Sequence, residues 1–370
     1  MKYYLIAGEA SGDLHGSNLV KELKKLDVSA DVRAWGGDLM QAAGAEVVKH
    51  YRDLAFMGFT EVIRNLPTIL DNLRFCKKDI TSFAPDVLVL IDYPGFNLRI
   101  ARWAKEQGFR IIYYISPQVW AWKEGRVRSI KKVVDKMLVI LPFEKEFYEK
   151  WDYEVEYIGH PLVQVVNEFL QKNASPKPLD RPVVALLPGS RRQEVAKKLP
   201  LMLEASKAFP DFDFVVAMAP SLDNHFYEAF LKDYSAVRSV RNRTYDLLAS
   251  AQAALVTSGT ATLETALFGV PEVVCYKGSA ISYQIAKRLI KIKYISLVNL
   301  IMDKKVVTEL IQQDLTTQNI VAELKAILYD EERKEQLRKD YAALRALLQR
   351  ESNASMRAAH EIIGFLQSSS

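Results

Sequence analysis

The feature that most constrains this chain is a recurrent alternation of short, almost uninterrupted apolar runs with longer segments of helical periodicity. Tyr3 to Ala7, Val32 to Trp35, Val87 to Ile91, Ile111 to Ile115 and Met137 to Leu141 read as strands in the first half. A run that is apolar throughout, rather than at every second residue, belongs to a strand covered on both faces. Strands of that kind, separated by helices, predict a parallel sheet wrapped by helices in a doubly wound domain.

The pattern breaks at Gly159-His160-Pro161 and again at Ala174-Ser175-Pro176-Lys177-Pro178, a proline-rich polar stretch suited to an interdomain connection. A second series of strands then begins at Val183 to Leu187 and continues through Phe214 to Ala217, Ala253 to Thr257 and Glu272 to Tyr276. Two domains also follow from the length of 370 residues, more than one core usually holds. From Asp330 to Gln367 the chain is charged and helical in pattern, a tail long enough to cross back to the first domain or reach another subunit.

Composition narrows the function classes. Apolar residues at 49% and charged residues at 26% describe a packed globular chain. The start turns acidic at Glu9 and Asp13 before an apolar run of signal-peptide length develops, and no stretch reaches the roughly 18 apolar residues of a spanning helix. These features predict a cytosolic protein. The two cysteines, Cys76 and Cys275, argue against a disulfide framework, a zinc site or a cysteine nucleophile. A net charge of +5 favours anionic partners without the dense basic stripe of a nucleic-acid binder.

Several turns after strands are candidates for chemistry. Pro188-Gly189-Ser190-Arg191 follows Val183 to Leu187 and opens a helix, where free N–H groups and a guanidinium suit phosphate oxygens; it also reads as an ordinary turn. Thr257-Ser258-Gly259-Thr260 repeats the arrangement, with Glu264 one turn into its helix, placed to accept ribose hydroxyls. The alternative there is that Ser258 or Thr260 caps the helix and Glu264 completes a capping box. Two such loops in one domain point to a diphosphate.

In the first domain, Gly8-Glu9-Ala10-Ser11-Gly12-Asp13 lacks the dinucleotide spacing, and its acids suit hydroxyl groups, unless Ser11 or Asp13 is simply an N-cap. Asp92, before Tyr93-Pro94-Gly95, is either a general base or a turn residue bonded to its own backbone. Residues 56–75 form an apolar stripe carrying Phe59, Val62 and Ile63 with basic flanks, interrupted at Pro67; it reads as an interfacial membrane segment or as a core face. Trp120, Trp122, Lys123 and Arg126 either wall an acceptor pocket or pack as aromatics with snorkelling cations.

Taken in order, these segments resemble the lipid-A-disaccharide synthase family, inverting glycosyltransferases of GT-B architecture. GEASGD, MGFTEV, IDYPGFN, SPQVWAWKEGRV and LPFEKEFYEK carry the resemblance in the first half; LLPGSRRQEV, SGTATLE and AKRLIKIKYISLVNLI carry it in the second. SPQVWAWK and LPFEK are specific, whereas PGSR and the SGT loop recur in other glycosyltransferases. Val298 before Asn299, and Gln118, depart from the family pattern without removing a charge.

The resemblance implies two Rossmann-like domains facing across a cleft: an acceptor domain over 1–165 with its membrane-contact segment, a UDP-sugar domain over 166–345, and a helical tail over 346–370. It implies transfer of 2,3-diacylglucosamine from its UDP carrier to the 6-hydroxyl of 2,3-diacylglucosamine 1-phosphate, giving a β-1′,6 disaccharide. Asp92 becomes the leading base, with Glu9 assisting or orienting the acceptor and Ser11 nearby. Arg191, Gly189 and Ser190 take the charge of the leaving diphosphate, with Ser258, Gly259 and Thr260 beside them. Glu264 holds the ribose and Asn299 lies near the donor. No metal or other cofactor is implied, since the helix N-terminus and Arg191 replace an ion. The implied setting is peripheral, on the inner face of the cytoplasmic membrane, with lipid as a partner and a homodimer open. A 2-epimerase or another N-acylglucosaminyltransferase of the same architecture is the alternative, and a non-catalytic nucleotide-sugar sensor the third reading.

Overall fold

The computed structural model describes residues 1–54, 66–173, 181–278, 292–349 and 353–368, apart from the side chains of Leu66 and Trp122. The chain forms two compact units, Met1–Pro161 with Gln349–Ser370, and Leu162–Leu348. The tail therefore belongs to the first unit rather than to the domain it follows in sequence.

The first unit is built on seven strands: β1 (Lys2–Ala7), β2 (Asp31–Gly36), β3 (Glu46–His50), β4 (Val87–Ile91), β5 (Ile111–Tyr114), β6 (Lys136–Val139) and β7 (Glu156–Tyr157). Their order is β3-β2-β1-β4-β5-β6-β7, and every pairing is parallel. All five residues of β4 and of β1 beyond Lys2 are buried, which is why those runs are apolar without alternation. Tyr4, Ile6, Leu88 and Leu90 pack on one side with Trp35, Phe96 and Ile100.

The second unit repeats the solution with six strands: β8 (Val183–Leu187), β9 (Asp213–Met218), β10 (Arg238–Arg241), β11 (Ala251–Thr257), β12 (Glu272–Tyr276) and β13 (Thr308–Ile311). Their order is β10-β9-β8-β11-β12-β13, again wholly parallel. In each sheet the direction of winding reverses between the first strand and the fourth, at β1/β4 and at β8/β11. Loops leaving the carboxyl ends of strands at such a reversal have no crossover helix above them, so a ligand can enter. Four of the loops singled out by the sequence leave these four strands, and the fifth, the tryptophan loop, follows β5.

Of the apolar stripe at 56–75, Phe59, Val62 and Ile63 lie outside the described residues. The described part begins the helix Leu66–Phe83, with Pro67 in its first turn, where a missing N–H costs nothing. Leu73 packs toward the core, whereas Leu70 and Phe75 remain 44% and 45% exposed. Among the described residues no helix is long and apolar enough to cross a membrane.

Candidate active site

In the first unit the pairing of Ala7 with Ile91 sets the turn at Gly8 beside the turn at Asp92. The Tyr93 ring lies so close to Gly8 that a Cβ there would stand 2.4 Å from it, so only glycine lets the two turns meet. Asp92 and Tyr93 are consecutive left-handed residues, φ 44° and 48°. That conformation costs about 1–2 kcal/mol per non-glycine residue and needs support. The support is buried: Tyr113 Oη and Asn97 Nδ2 donate to the Asp92 carbonyl at 2.6 and 2.8 Å, and the Asp92 N–H donates to Tyr114 at 3.2 Å.

Burial, and then the negative charge of Glu9, push the Asp92 carboxyl up to about 7, while a bond from the Tyr93 N–H pulls it back only in part. The turn-residue reading thus captures one of its bonds, but not the environment. Glu9 is the N-cap residue of the helix Ala10–Leu26 and makes no side-chain capping bond. Ser11 is exposed in that helix's first turn.

Asp13 has a different occupation from either reading of the loop. Its buried carboxylate accepts from the N–H groups of Gly37, Leu39 and Met40 at 2.8, 3.1 and 3.0 Å, capping the helix Asp38–Ala42 rather than its own.

In the tryptophan loop the packing alternative holds at Trp120. Trp120 is 9% exposed and meets Phe143 edge to face at 4.9 Å, so it packs inward instead of walling a pocket. The same loop is tied down by Ser116, whose hydroxyl donates to buried Glu144 at 2.9 Å; Glu144 also accepts from Ile140 and Leu141. Burial pushes the Glu144 carboxyl up to about 7. SPQVWAWK and LPFEK, the most specific motifs in the sequence, are therefore two halves of one internal clamp. Lys123 is exposed and Arg126 partly so, while Trp122 contributes backbone to the short helix Val119–Trp122.

In the second unit the pairing of Leu187 with Val256 brings the other two turns side by side. Gly189, at φ 119°, has its Cα against Glu194, where a Cβ would be 2.7 Å from the carboxylate. Ser190 is exposed, and Arg191 is the N-cap residue of the helix Arg192–Ser206. The Arg191 guanidinium is 58% exposed and meets Glu194 at 3.3 Å. Gly259, at φ 132°, is the N-cap residue of the helix Thr260–Leu267, and Thr260 is exposed beside it.

The capping alternatives at this loop do not hold. The Ser258 hydroxyl donates to the Ile295 carbonyl at 2.8 Å, and no side chain caps the helix. Glu264 instead accepts from Tyr245 Oη at 2.6 Å, and burial raises its carboxyl above the ordinary range.

Asn299 corrects the expected donor contact. It is fully buried, Nδ2 donates to Val307 O and Glu309 Oε1 at 2.9 Å, and Oδ1 accepts from Val306 and Val307 at 2.8 and 2.9 Å. Its amide is spent internally. Glu309 in turn holds the N–H groups of Ile295 and Ser296, and Ile295 is the residue that anchors Ser258. Asn299 thus supports the Ser258 loop from behind.

Sequence reasoning missed Lys198. It is 2% exposed, bonded to the Thr257 hydroxyl at the end of β11, and 3.9 Å from Glu194; burial lowers its pKa. Arg191, Glu194 and Lys198 follow helical spacing of three and four, which was the available signal. Tyr245, Ser296 and Glu309 had no comparable local signal. Among the described residues no three His, Cys, Asp or Glu side chains are grouped to hold a metal.

Two doubly wound units with ligand-type turns at each reversal define the GT-B class, and solved structures across the whole chain agree. A UDP-GlcNAc 2-epimerase from Neisseria meningitidis superposes with a TM-score of 0.68 at 14% identity, covering 100% of both chains. The glycotransferase of kitacinnamycin gives 0.66 at 15% identity, covering 99% of this chain and 98% of its own. Within that class, the chain belongs to the lipid-A-disaccharide synthetase family, whose model matches residues 3–363. It is 42% identical to the lipid-A-disaccharide synthase of Syntrophus aciditrophicus (strain SB) over 355 residues, 92% of each chain. The synthase of Geobacter metallireducens is 40% identical over 353 residues, 93% of this chain and 92% of that one. The chain is accordingly a glycosyltransferase of the hexosyl type.

Proposed function

We propose that the chain transfers 2,3-diacylglucosamine from UDP to the 6-hydroxyl of 2,3-diacylglucosamine 1-phosphate, with inversion, giving a β-1′,6 disaccharide 1-phosphate and UDP. The observation that carries the reading is Asp92: a carboxyl at the strand reversal of the first unit, held in left-handed backbone, with its pKa raised to about 7. A base matched to neutral pH is what deprotonating a sugar hydroxyl during attack requires. Glu9 keeps that carboxyl basic and orients the acceptor.

On the second unit the N–H groups of Gly189 and Ser190, with Arg191, receive the charge that develops on the departing diphosphate. The Arg191–Glu194 contact is a largely exposed pair of small net strength. Ser258, Gly259 and Thr260 face the same phosphates, and Glu264, fixed by Tyr245, accepts ribose hydroxyls. No metal enters this mechanism. Attachment to the inner face of the cytoplasmic membrane is supported by the acyl chains of both substrates and by Leu70 and Phe75, exposed on a helix with Arg74, Lys77 and Lys78.

The test supplies UDP-diacylglucosamine with and without the acyl-sugar phosphate and follows products by mass spectrometry. Disaccharide and UDP should form only when both are present. UDP binding without disaccharide would reject the transferase reading, and conversion of the donor alone would mark an epimerase.

A further inference from the structure

Between the helices Pro94–Glu106 and Val127–Val133 of the first unit lies a cavity of about 230 Å³. Its polar lining consists of Arg99, Arg102, Arg126 and Ser129, and Pro94 and Gly95 line it at the start of the first helix. The charged side chains around it are all arginine, with no acid among them. Arg99 and Arg102 stand three apart on one helix, like charges that repel, and neither has an ion-pair partner among the described residues. Three arginines lining one cavity, two of them exposed at the surface, suit an anion that presents several oxygens at once, a role in which arginine excels over lysine. The first turn of a 13-residue helix adds partial positive charge from the same end. Gly95 leaves that end open, since a Cβ there would meet nothing within 4 Å.

We propose that this arginine-lined cavity is a phosphate-monoester subsite that takes the phosphate of the acceptor sugar. The proposal rests on the transferase reading above and deepens it. Gly95 is three residues from Asp92, a span of at most about 11 Å. The Gly95 end of the cavity therefore lies within reach of an acceptor sugar whose 6-hydroxyl is at Asp92. The site would select phosphorylated acceptors and fix which hydroxyl is offered to the base.

A phosphate monoester on the acceptor and the phosphate of an anionic lipid headgroup share this chemistry, so the test separates them. The full-length enzyme is assayed in neutral detergent micelles with diacylglucosamine 1-phosphate and with the same sugar lacking phosphate. Wild type should prefer the phosphorylated acceptor in kcat/KM, and R99Q/R102Q should cut that preference by roughly tenfold or more, as expected for losing charge-assisted bonds. G95D, which places a carboxylate at the open end, should do the same by repulsion without removing either arginine. An unchanged preference in both variants overturns the proposal. So does retained preference accompanied by lost binding of R99Q/R102Q to phosphatidylglycerol vesicles, which assigns the arginines to membrane lipid. If wild type forms no disaccharide from either acceptor, the transferase reading itself falls.

Discussion

Asp92 shows how one residue's reactivity is set by neighbours that local sequence does not reveal. Its raised pKa comes first from burial and next from Glu9, 83 positions earlier, and its backbone is held by Tyr113 and Asn97. As the proposed base, Asp92 would react as its carboxylate, so kcat/KM should rise with pH through about 7 and level off above it. Removing the Glu9 charge relieves the repulsion, lowers the Asp92 pKa and shifts that limb to lower pH in E9Q. In D92N the limb should vanish and turnover fall about 10²–10⁴-fold. A limb that survives in D92N, or stays fixed in E9Q, would assign the base elsewhere. Asp92 was legible because it ends an apolar run. Asp13, in an equally suggestive motif, was not, because its partners at Gly37, Leu39 and Met40 are brought to it only by the pairing of β1 with β2.

At the scale of elements, the sequence reading found the strands inside each sheet and missed β3, β7, β10 and β13. These four are the two edges of each sheet. An edge strand is covered less completely, so it carries polar residues such as Glu46, Lys49, Arg238 and Arg241, and its apolar run dissolves. The loops at the strand reversals were legible for the opposite reason: fully buried strands mark their own ends. What holds those loops was hidden, as Asn299 illustrates. If Asn299 works from behind the Ser258 loop, N299A strands the buried Val307 N–H, while the Val306 N–H keeps the Lys304 carbonyl, and should lower stability by about 1–3 kcal/mol in urea unfolding. UDP affinity should fall with it, as Glu309, which holds Ile295, loses the Asn299 amide. Weakened UDP binding at wild-type stability would restore the direct donor contact implied by the family resemblance.

For the whole molecule, one topology is used twice and different side chains are grafted on each copy: carboxylates at β1/β4, glycine turns that open helices at β8/β11. The chain's last segment ties the first copy's integrity to its final residues. The helix Ala354–Ser368 packs on Ala10–Leu26, buries Ala358, Ile362 and Leu366, pairs Arg357 with Glu156 at 3.3 Å and Glu361 with Lys136. The tail's helical pattern was readable, but its destination was not, because a helix with one apolar face states only that it must be covered. Burial of Ile362 and Leu366 alone contributes about 1.5–3 kcal/mol each, a large share of a domain's stability of about 5–15 kcal/mol. Deleting residues 349–370 should therefore loosen the unit that carries Asp92 while sparing the one that carries Arg191. Hydrogen exchange should rise across peptides of 1–161 and stay low in 183–276, and calorimetry should show UDP binding retained after disaccharide synthesis is lost. Wild-type protection of 1–161 in the shortened chain would mean the tail merely rests on that unit.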